Sequence, residues 1–270
     1  MKKQVVLTVA ESKRLIAKGV AALPQVQKAM KEGMLVVATG TTNAYVLQEL
    51  WGKKFDLRRY RSGTTTPKEP DRLPEEREEP IPDVVFRKGD VAKELNRFDA
   101  VEHMGKGDIY IKGANALDYA GGMAGVLIGG STGGTVGRVL PSIIGKKIEL
   151  IIPSGLEKLV YTDINELHWI AGTDDSEGPS LWPLTGTIIT EIEALGILTG
   201  VDAYLYSAGG VAGAEGGCTA APGRHRRRGR GSPEVHREHQ GRATLPPLTF
   251  FLTPTFSFIP KFLSTHGSHL

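Results

Sequence analysis

Between residues 10 and 206 short apolar runs alternate with amphipathic stretches, and that alternation restricts the chain to an α/β fold. Residues 10–32 carry Leu15, Val20, Leu23 and Val26 among Lys and Gln, a helical period that Pro24 divides in two. Met34-Leu35-Val36-Val37-Ala38 is short and wholly apolar, as a strand covered on both faces must be. The loop Thr39-Gly40-Thr41-Thr42-Asn43 and a helix from Ala44 to about Leu50 follow it. Further strands are expected at Val84–Arg87, Asp108–Ile111, Gly125–Ile128, Ile148–Pro153 and Val201–Tyr206. Helices are expected at Val91–His103, from Thr135 to about Ile144, at Thr162–Ile170 and at Thr187–Leu198, the last stopped by Gly200. This order predicts a doubly wound, mostly parallel sheet formed by residues 1–217. Residues 53–82, rich in charge and in proline (Pro67, Pro70, Pro74, Pro80, Pro82), read as a long exposed excursion.

In such a sheet the strand C-termini share one edge, and ligands bind in the crevice along it. Small residues let a ligand approach the backbone, and the free amides of the next helix attract anions. Two loops fit that role: Thr39-Gly40-Thr41-Thr42-Asn43, and Gly130 with Thr132-Gly133-Gly134-Thr135. Neither has the glycine spacing of a dinucleotide loop or the Gly-Lys-Thr ending of a P-loop, and the sequence leaves any cofactor unknown. Lys112-Gly113-Ala114-Asn115 adds a cation, a turn and an amide after a strand, with Asp118 beyond as a base. Glu157-Lys158 reads as a solvated neighbouring pair, although Glu157 stays among the acid–base candidates with Asp118 and Glu191. On a helix Glu191 and Glu193 face apart, so only one can point into a site. His168 beside Trp169 reads as a packed histidine, and Trp182–Gly186 as a packed loop.

Composition changes at Gly216-Gly217-Cys218. The chain carries a formal charge of +3, but residues 218–270 hold eight Lys/Arg against two Asp/Glu, which leaves −3 for residues 1–217. Basic character therefore belongs to the tail, chiefly Arg224–Arg230, and argues against nucleic acid as a partner of the body. Residues 1–217 contain no cysteine and two histidines, His103 and His168, which argues against a thiol nucleophile and a His-rich metal site. Lys2 and Lys3 precede an apolar run cut short by Glu11, unlike a signal peptide. Prolines interrupt the apolar stretch Leu245–Leu263, so a cytoplasmic chain without a membrane partner is expected. Residues 218–270 read as an aberrant basic tail, or as a genuine basic, Pro-rich disordered one. From Ala221, reading the second base of suitably chosen codons gives LLVDTAAEGEEVRKSIGSIKGEPPFPP, with a strand-like start and a helix-like continuation. A frame-shifted C-terminus is thus expected.

The loop at Thr39–Asn43 resembles the first loop of the superfamily of ribose-5-phosphate isomerase, glucosamine-6-phosphate deaminase and the CoA transferases, and Lys112–Asp118 resembles its second-strand motif. Ala124–Ile128, Arg138–Pro141, Ile148–Pro153 and Glu157–Val160 are similar to its lactate-utilisation branch. Residues 1–217 also resemble an uncharacterised prokaryotic family of similar length. The resemblance implies a Rossmann-like fold and isomerase- or transferase-like chemistry. In the isomerase motif Asp-Gly-Ala-Asp-Glu, however, Lys112 and Asn115 stand in place of both aspartates and Ala116 in place of the glutamate. Because carboxylates take the proton in that reaction, ribose-5-phosphate isomerisation itself is not expected. The expected function is binding of a small anionic metabolite (sugar phosphate, carboxylate or acyl-CoA-like), with catalysis on it. A non-catalytic metabolite sensor reporting through contacts between copies is the alternative.

Overall fold

Leu35, Val36 and Val37 are inaccessible on both sides, which places their strand inside a covered sheet. In the computed structural model, residues 4–63, 65 and 79–222 are described. They run β1 (Val5–Leu7), α1 (Val9–Ala22), α2 (Pro24–Glu32), β2 (Met34–Val37), α3 (Thr41–Trp51), β3 (Val84–Arg87), β4 (Asp90–Val91), α4 (Arg97–His103), β5 (Ile109–Ile111), β6 (Ala116–Asp118), β7 (Met123–Ile128), α5 (Gly134–Gly145), β8 (Glu149–Pro153), α6 (Ile164–Ala171), β9 (Ser180–Leu184), β10 (Thr187–Ile189), α7 (Glu191–Thr199), β11 (Ala203–Ala208) and β12 (Cys218–Pro222). All lie in the compact unit Met1–His225; the second unit, Arg226–Leu270, is outside the described residues. So are the Arg224–Arg230 cluster and most of the segment read in the other frame.

The fold is mixed α/β. Its largest sheet has six strands in the order β10-β8-β5-β2-β3-β4. β10, β8, β5 and β2 are parallel, while β3 and β4 extend the sheet antiparallel. On one face Leu35, Val37, Ile109, Ile111 and Ile151 pack on Ile16 and Val20 of α1, Val26 of α2, Leu47 of α3 and Ala194 of α7. On the other face Val36, Tyr110, Leu150 and Ile152 pack on Val101 of α4 and on Val136, Val139 and Ile143 of α5. Ala124, Val126 and Leu184, from an antiparallel sheet ordered β6-β7-β9, join that second layer.

Several expectations are corrected. The parallel character stops at four strands: the described residues also form two antiparallel three-stranded sheets, and β11 belongs to β1-β12-β11 rather than to the main sheet. The predicted helix Thr187–Leu198 is a strand followed by a helix. Thr187, Ile188 and Ile189 pair with β8, and Thr190 then caps α7 in a reciprocal pair with Glu193. The helix predicted from Val91 starts at Arg97, because Asn96 caps it with its side chain. Trp182 and Leu184 lie in β9, an edge strand, where Pro183 is tolerated for want of a ladder partner on its outer side. The domain does not end at Gly217. Cys218–Pro222 forms the central strand of β1-β12-β11, with Cys218 only 1 % exposed.

The excursion is anchored at its start. Tyr60 is fully buried against α3 and the end of β2, with Phe55, Leu57 and Ile81 around the same core. Pro67, Pro70 and Pro74 lie outside the described residues.

Candidate site at the strand C-termini

The four parallel strands deliver their following loops to one edge. Ala38-Thr39-Gly40 leads from β2 into α3, Lys112-Gly113 follows β5, Ser154-Gly155 follows β8, and Thr190 joins β10 to α7. Asn43 ties the first two together. Its Nδ2 donates to the Ala38 carbonyl at 2.7 Å and to the Ile111 carbonyl at 3.4 Å. A Cβ at Gly113 would lie 3.8 Å from Asn43 Oδ1, in ordinary van der Waals contact. Gly40 begins α3 without a side-chain cap, and the first amides of the helix keep their positive ends free.

Buried polar atoms without partners gather here. Among the described residues they are Thr42 Oγ1, Asn43 Oδ1, Arg97 Nε, Tyr110 Oη, Ser154 Oγ and Glu157 Oε2. Thr42 is 2 % exposed, and Asn43 and Ser154 are 0 % exposed. Each such atom has given up water for nothing, at about 1–3 kcal/mol apiece. Native interiors hold few of them, and a cluster at one edge requires a reason.

The cations of the edge are poorly solvated. Among the described residues the Lys112 amine reaches only the Gly113 carbonyl, at 3.2 Å, and the side chain lies over a water-sized cavity lined by Tyr110, Val136, Val139 and Leu184. Burial, then the nearby Arg97 and Lys158 charges, hold its pKa down to about 8. Lys158 donates to the Ala114 carbonyl at 2.8 Å, and burial lowers its pKa too. Arg97 pairs with Asp83 at 2.9 Å and donates to Thr39 Oγ1 at 3.1 Å, while the Thr39 amide also bonds Asp83. The phenol of Tyr60 donates to the Val37 carbonyl and accepts from the Val84 amide at 3.1 Å. The start of the excursion thereby holds the end of β2 in place.

Of the two glutamates in the first turn of α7, Glu191 turns inward and is 0 % exposed. Its Oε2 accepts from the Leu156 amide at 2.9 Å, and Oε1 faces Cys218 Sγ at 3.6 Å. Burial raises the carboxyl pKa, partly offset by hydrogen bonds from its own backbone amide, the Leu156 amide and Ser12. The same burial, with Glu191 beside it, pushes the Cys218 thiol up to about 11, which suits packing rather than nucleophilic attack. Glu193 faces away, capping Thr190 and accepting from Tyr119 at 2.7 Å.

The expected solvated pair Glu157-Lys158 is instead tucked into the edge: Glu157 Oε2 is buried against Gly155. A Cβ at Gly155 would overlap that carboxylate. Gly155→Ala is therefore expected to expel the Glu157 side chain. Nuclear Overhauser contacts between the Glu157 side chain and the Gly155 backbone are expected in the parent and should be lost in the variant; their retention would refute the packing argument.

Thr39, Gly40, Thr41, Thr42, Asn43, Lys112, Gly113, Glu157 and Glu191 thus sit along the edge. Others of the expected set have local work. Asn115 is exposed, and its side chain accepts from the Leu127 amide at 3.1 Å, closing the β6–β7 hairpin. Asp118 accepts from the Gly121 amide at 2.8 Å in the hairpin turn. Gly130 and Thr132 are exposed ahead of α5, and Gly133 and Gly134 both take left-handed backbone there, Gly133 against the Trp182 ring. Thr135 is in the first turn of α5. His168 Nδ1 meets the Leu181 carbonyl at 2.6 Å, a packing role. Ser154, Tyr110, Arg97 and Tyr60 are edge residues that sequence reasoning missed. Only Ser154 had a signal, a small polar residue directly after an apolar run. Among the described residues no three His, Cys, Asp or Glu side chains converge as metal ligands, and no helix is long and apolar enough to cross a membrane. No family model, curated protein or solved structure matches the chain.

Proposed function

We propose that the chain binds a small anionic metabolite (sugar phosphate, carboxylate or acyl-CoA-like) along the C-terminal edge of the parallel strands, and acts on it chemically. The supporting observation is the concentration of unpartnered buried polar atoms beside the uncapped start of α3 and the two desolvated lysines. The α3 amides and the Thr42 and Ser154 hydroxyls supply donors to an anion, and Lys112 and Lys158 supply charge. Asn43 Oδ1 and Glu157 Oε2 accept from hydroxyl or amide groups of the same ligand, with Glu157 and Glu191 as acid–base candidates. We take the main sheet with its two covered faces as a Rossmann-like, doubly wound core. Its kinship with the isomerase, deaminase and CoA-transferase superfamily rests on the loop motifs alone.

The reading predicts opposite effects on stability and on binding. Thr42→Val and Ser154→Ala each remove a buried hydroxyl that the free chain leaves unsatisfied, so each is expected to leave stability unchanged or raise it by about 1 kcal/mol. Each is also expected to shrink the melting-temperature rise that phosphate, carboxylate or CoA-thioester ligands produce in the parent chain. A ligand at a hundred times its Kd stabilises by about 2.7 kcal/mol, well within reach of thermal unfolding. No rise with any of the three ligand types, or marked destabilisation by both substitutions without ligand, would sink the proposal.

A further inference from the structure

Lys112 is an odd residue for a simple charge anchor. An anchor has to stay charged, and this amine is placed where charge is hard to keep. Its side chain lies beside Val136, Val139 and Leu184. The neighbouring cations are Arg97 from α4 and Lys158 from the turn after β8, and the carboxylate facing the group, Asp83, is engaged by Arg97. No ion pair joins Lys112 to a carboxylate among the described residues. A lysine surrounded by apolar side chains and like charges is set up as a neutral nucleophile.

We propose that Lys112 forms an imine with a carbonyl compound that carries a phosphate or carboxylate group. The inference rests on the anionic-metabolite reading of this edge and adds a covalent step to it. The neutral Nζ attacks the carbonyl carbon, a C–N bond forms, and the carbonyl π pair moves to oxygen, which takes a proton. Nζ gives up one proton to solvent. The C–O bond of the carbinolamine then breaks and the oxygen leaves as water after a second protonation, giving a protonated imine. Tyr110 lines the same cavity, and its unpartnered hydroxyl, kept protonated by burial, is the donor the site offers. With its pKa held to about 8, roughly one Lys112 in ten is neutral at pH 7, against roughly one in three thousand for an ordinary lysine.

The test is reductive trapping of the full chain at pH 7 with glyoxylate, pyruvate or dihydroxyacetone phosphate and sodium cyanoborohydride, mapped by peptide mass spectrometry. The expected adduct has the mass of the carbonyl compound less one oxygen atom. It should sit on Lys112 and form at least about ten times faster than on any other lysine. It should be lost from that site in Lys112→Met, whose neutral side chain of similar length suits the apolar surroundings and is expected to leave the melting temperature unchanged or raised. Absence of labelling at Lys112 with all three compounds, or equal labelling across surface lysines, would overturn the inference. Inorganic phosphate and acetaldehyde separate this idea from the reading beneath it. If phosphate raises the melting temperature while Lys112 stays unlabelled, the anion edge stands and the imine fails. If acetaldehyde labels Lys112 as fast as glyoxylate and phosphate neither slows labelling nor raises the melting temperature, the nucleophile stands and the anion edge fails.

Discussion

Glu191→Ala is expected to destabilise the chain by about 3 kcal/mol, the largest single effect predicted for the site. The substitution removes a buried acceptor from the Leu156 amide and leaves a void among Ser12, Leu156 and Cys218. Glu191→Gln keeps an acceptor for that amide and is expected to lose far less. Urea denaturation of the three proteins at neutral pH measures both differences. A loss below about 1 kcal/mol for alanine would mean that the site relaxes around the gap. The pH profile separates charge from packing. The carboxyl is raised above its ordinary value of 4.5, mainly by burial. Between 4.5 and the raised value the folded chain retains a proton that the unfolded chain has released, so this group's contribution to stability falls as pH climbs through that window. Glu191→Gln has no such proton, and its stability relative to the parent is expected to improve as pH rises from 4 toward neutrality, by about 1.4 kcal/mol per unit of pKa difference. A parallel pair of profiles would show that Glu191 titrates alike in both states.

Tyr60→Phe is the second large effect, expected to cost about 2–3 kcal/mol. One hydroxyl serves two buried backbone groups, the Val37 carbonyl and the Val84 amide. Phenylalanine fills the same space and satisfies neither. The loss should be visible in the urea midpoint and in faster hydrogen exchange at Val84. Because Val37 ends the strand that carries Thr39–Asn43, the same substitution is expected to weaken anion binding at a distance from any ligand contact. Stability within about 0.5 kcal/mol of the parent would show that water replaces the hydroxyl.

The parts of the fold legible in the sequence are those with enough residues to show a period or a hard stop. Pro24 divides α1 from α2 because it cannot continue a helix yet suits a first turn. β2 and β8 were visible as apolar runs because both faces are covered. The misses are short or locally disguised. Thr187–Ile189 makes a strand of three residues, too few to outweigh the helical pattern after it. Cys218-Thr219-Ala220-Ala221-Pro222 is the middle strand of its sheet but has small side chains, which carry little pattern. At the site, the loop after β2 could be found because strand, small residues and helix follow in order, and Lys112 because a cation and a glycine directly follow an apolar strand. Asn115 and Gly130 looked similar but serve hairpin and turn, since a residue that frees backbone for a ligand also suits a tight bend. Tyr60 and Arg97 reach the edge from distant segments, and no local window contains that information.

The β1-β12-β11 sheet joins segments that the ribosome delivers far apart. Val5 pairs with Ala220, and Leu7 with Cys218. At ordinary elongation speeds, β1 emerges roughly ten to forty seconds before its partner strand exists. The strands of the main sheet, ending with β10 at Ile189, are all made first. During that interval Val5–Leu7 is an unpaired edge awaiting β12, exposed to pairing with other nascent chains. Synthesis rate and chaperone supply should therefore affect the soluble yield of this protein more than the sturdiness of its finished core would suggest.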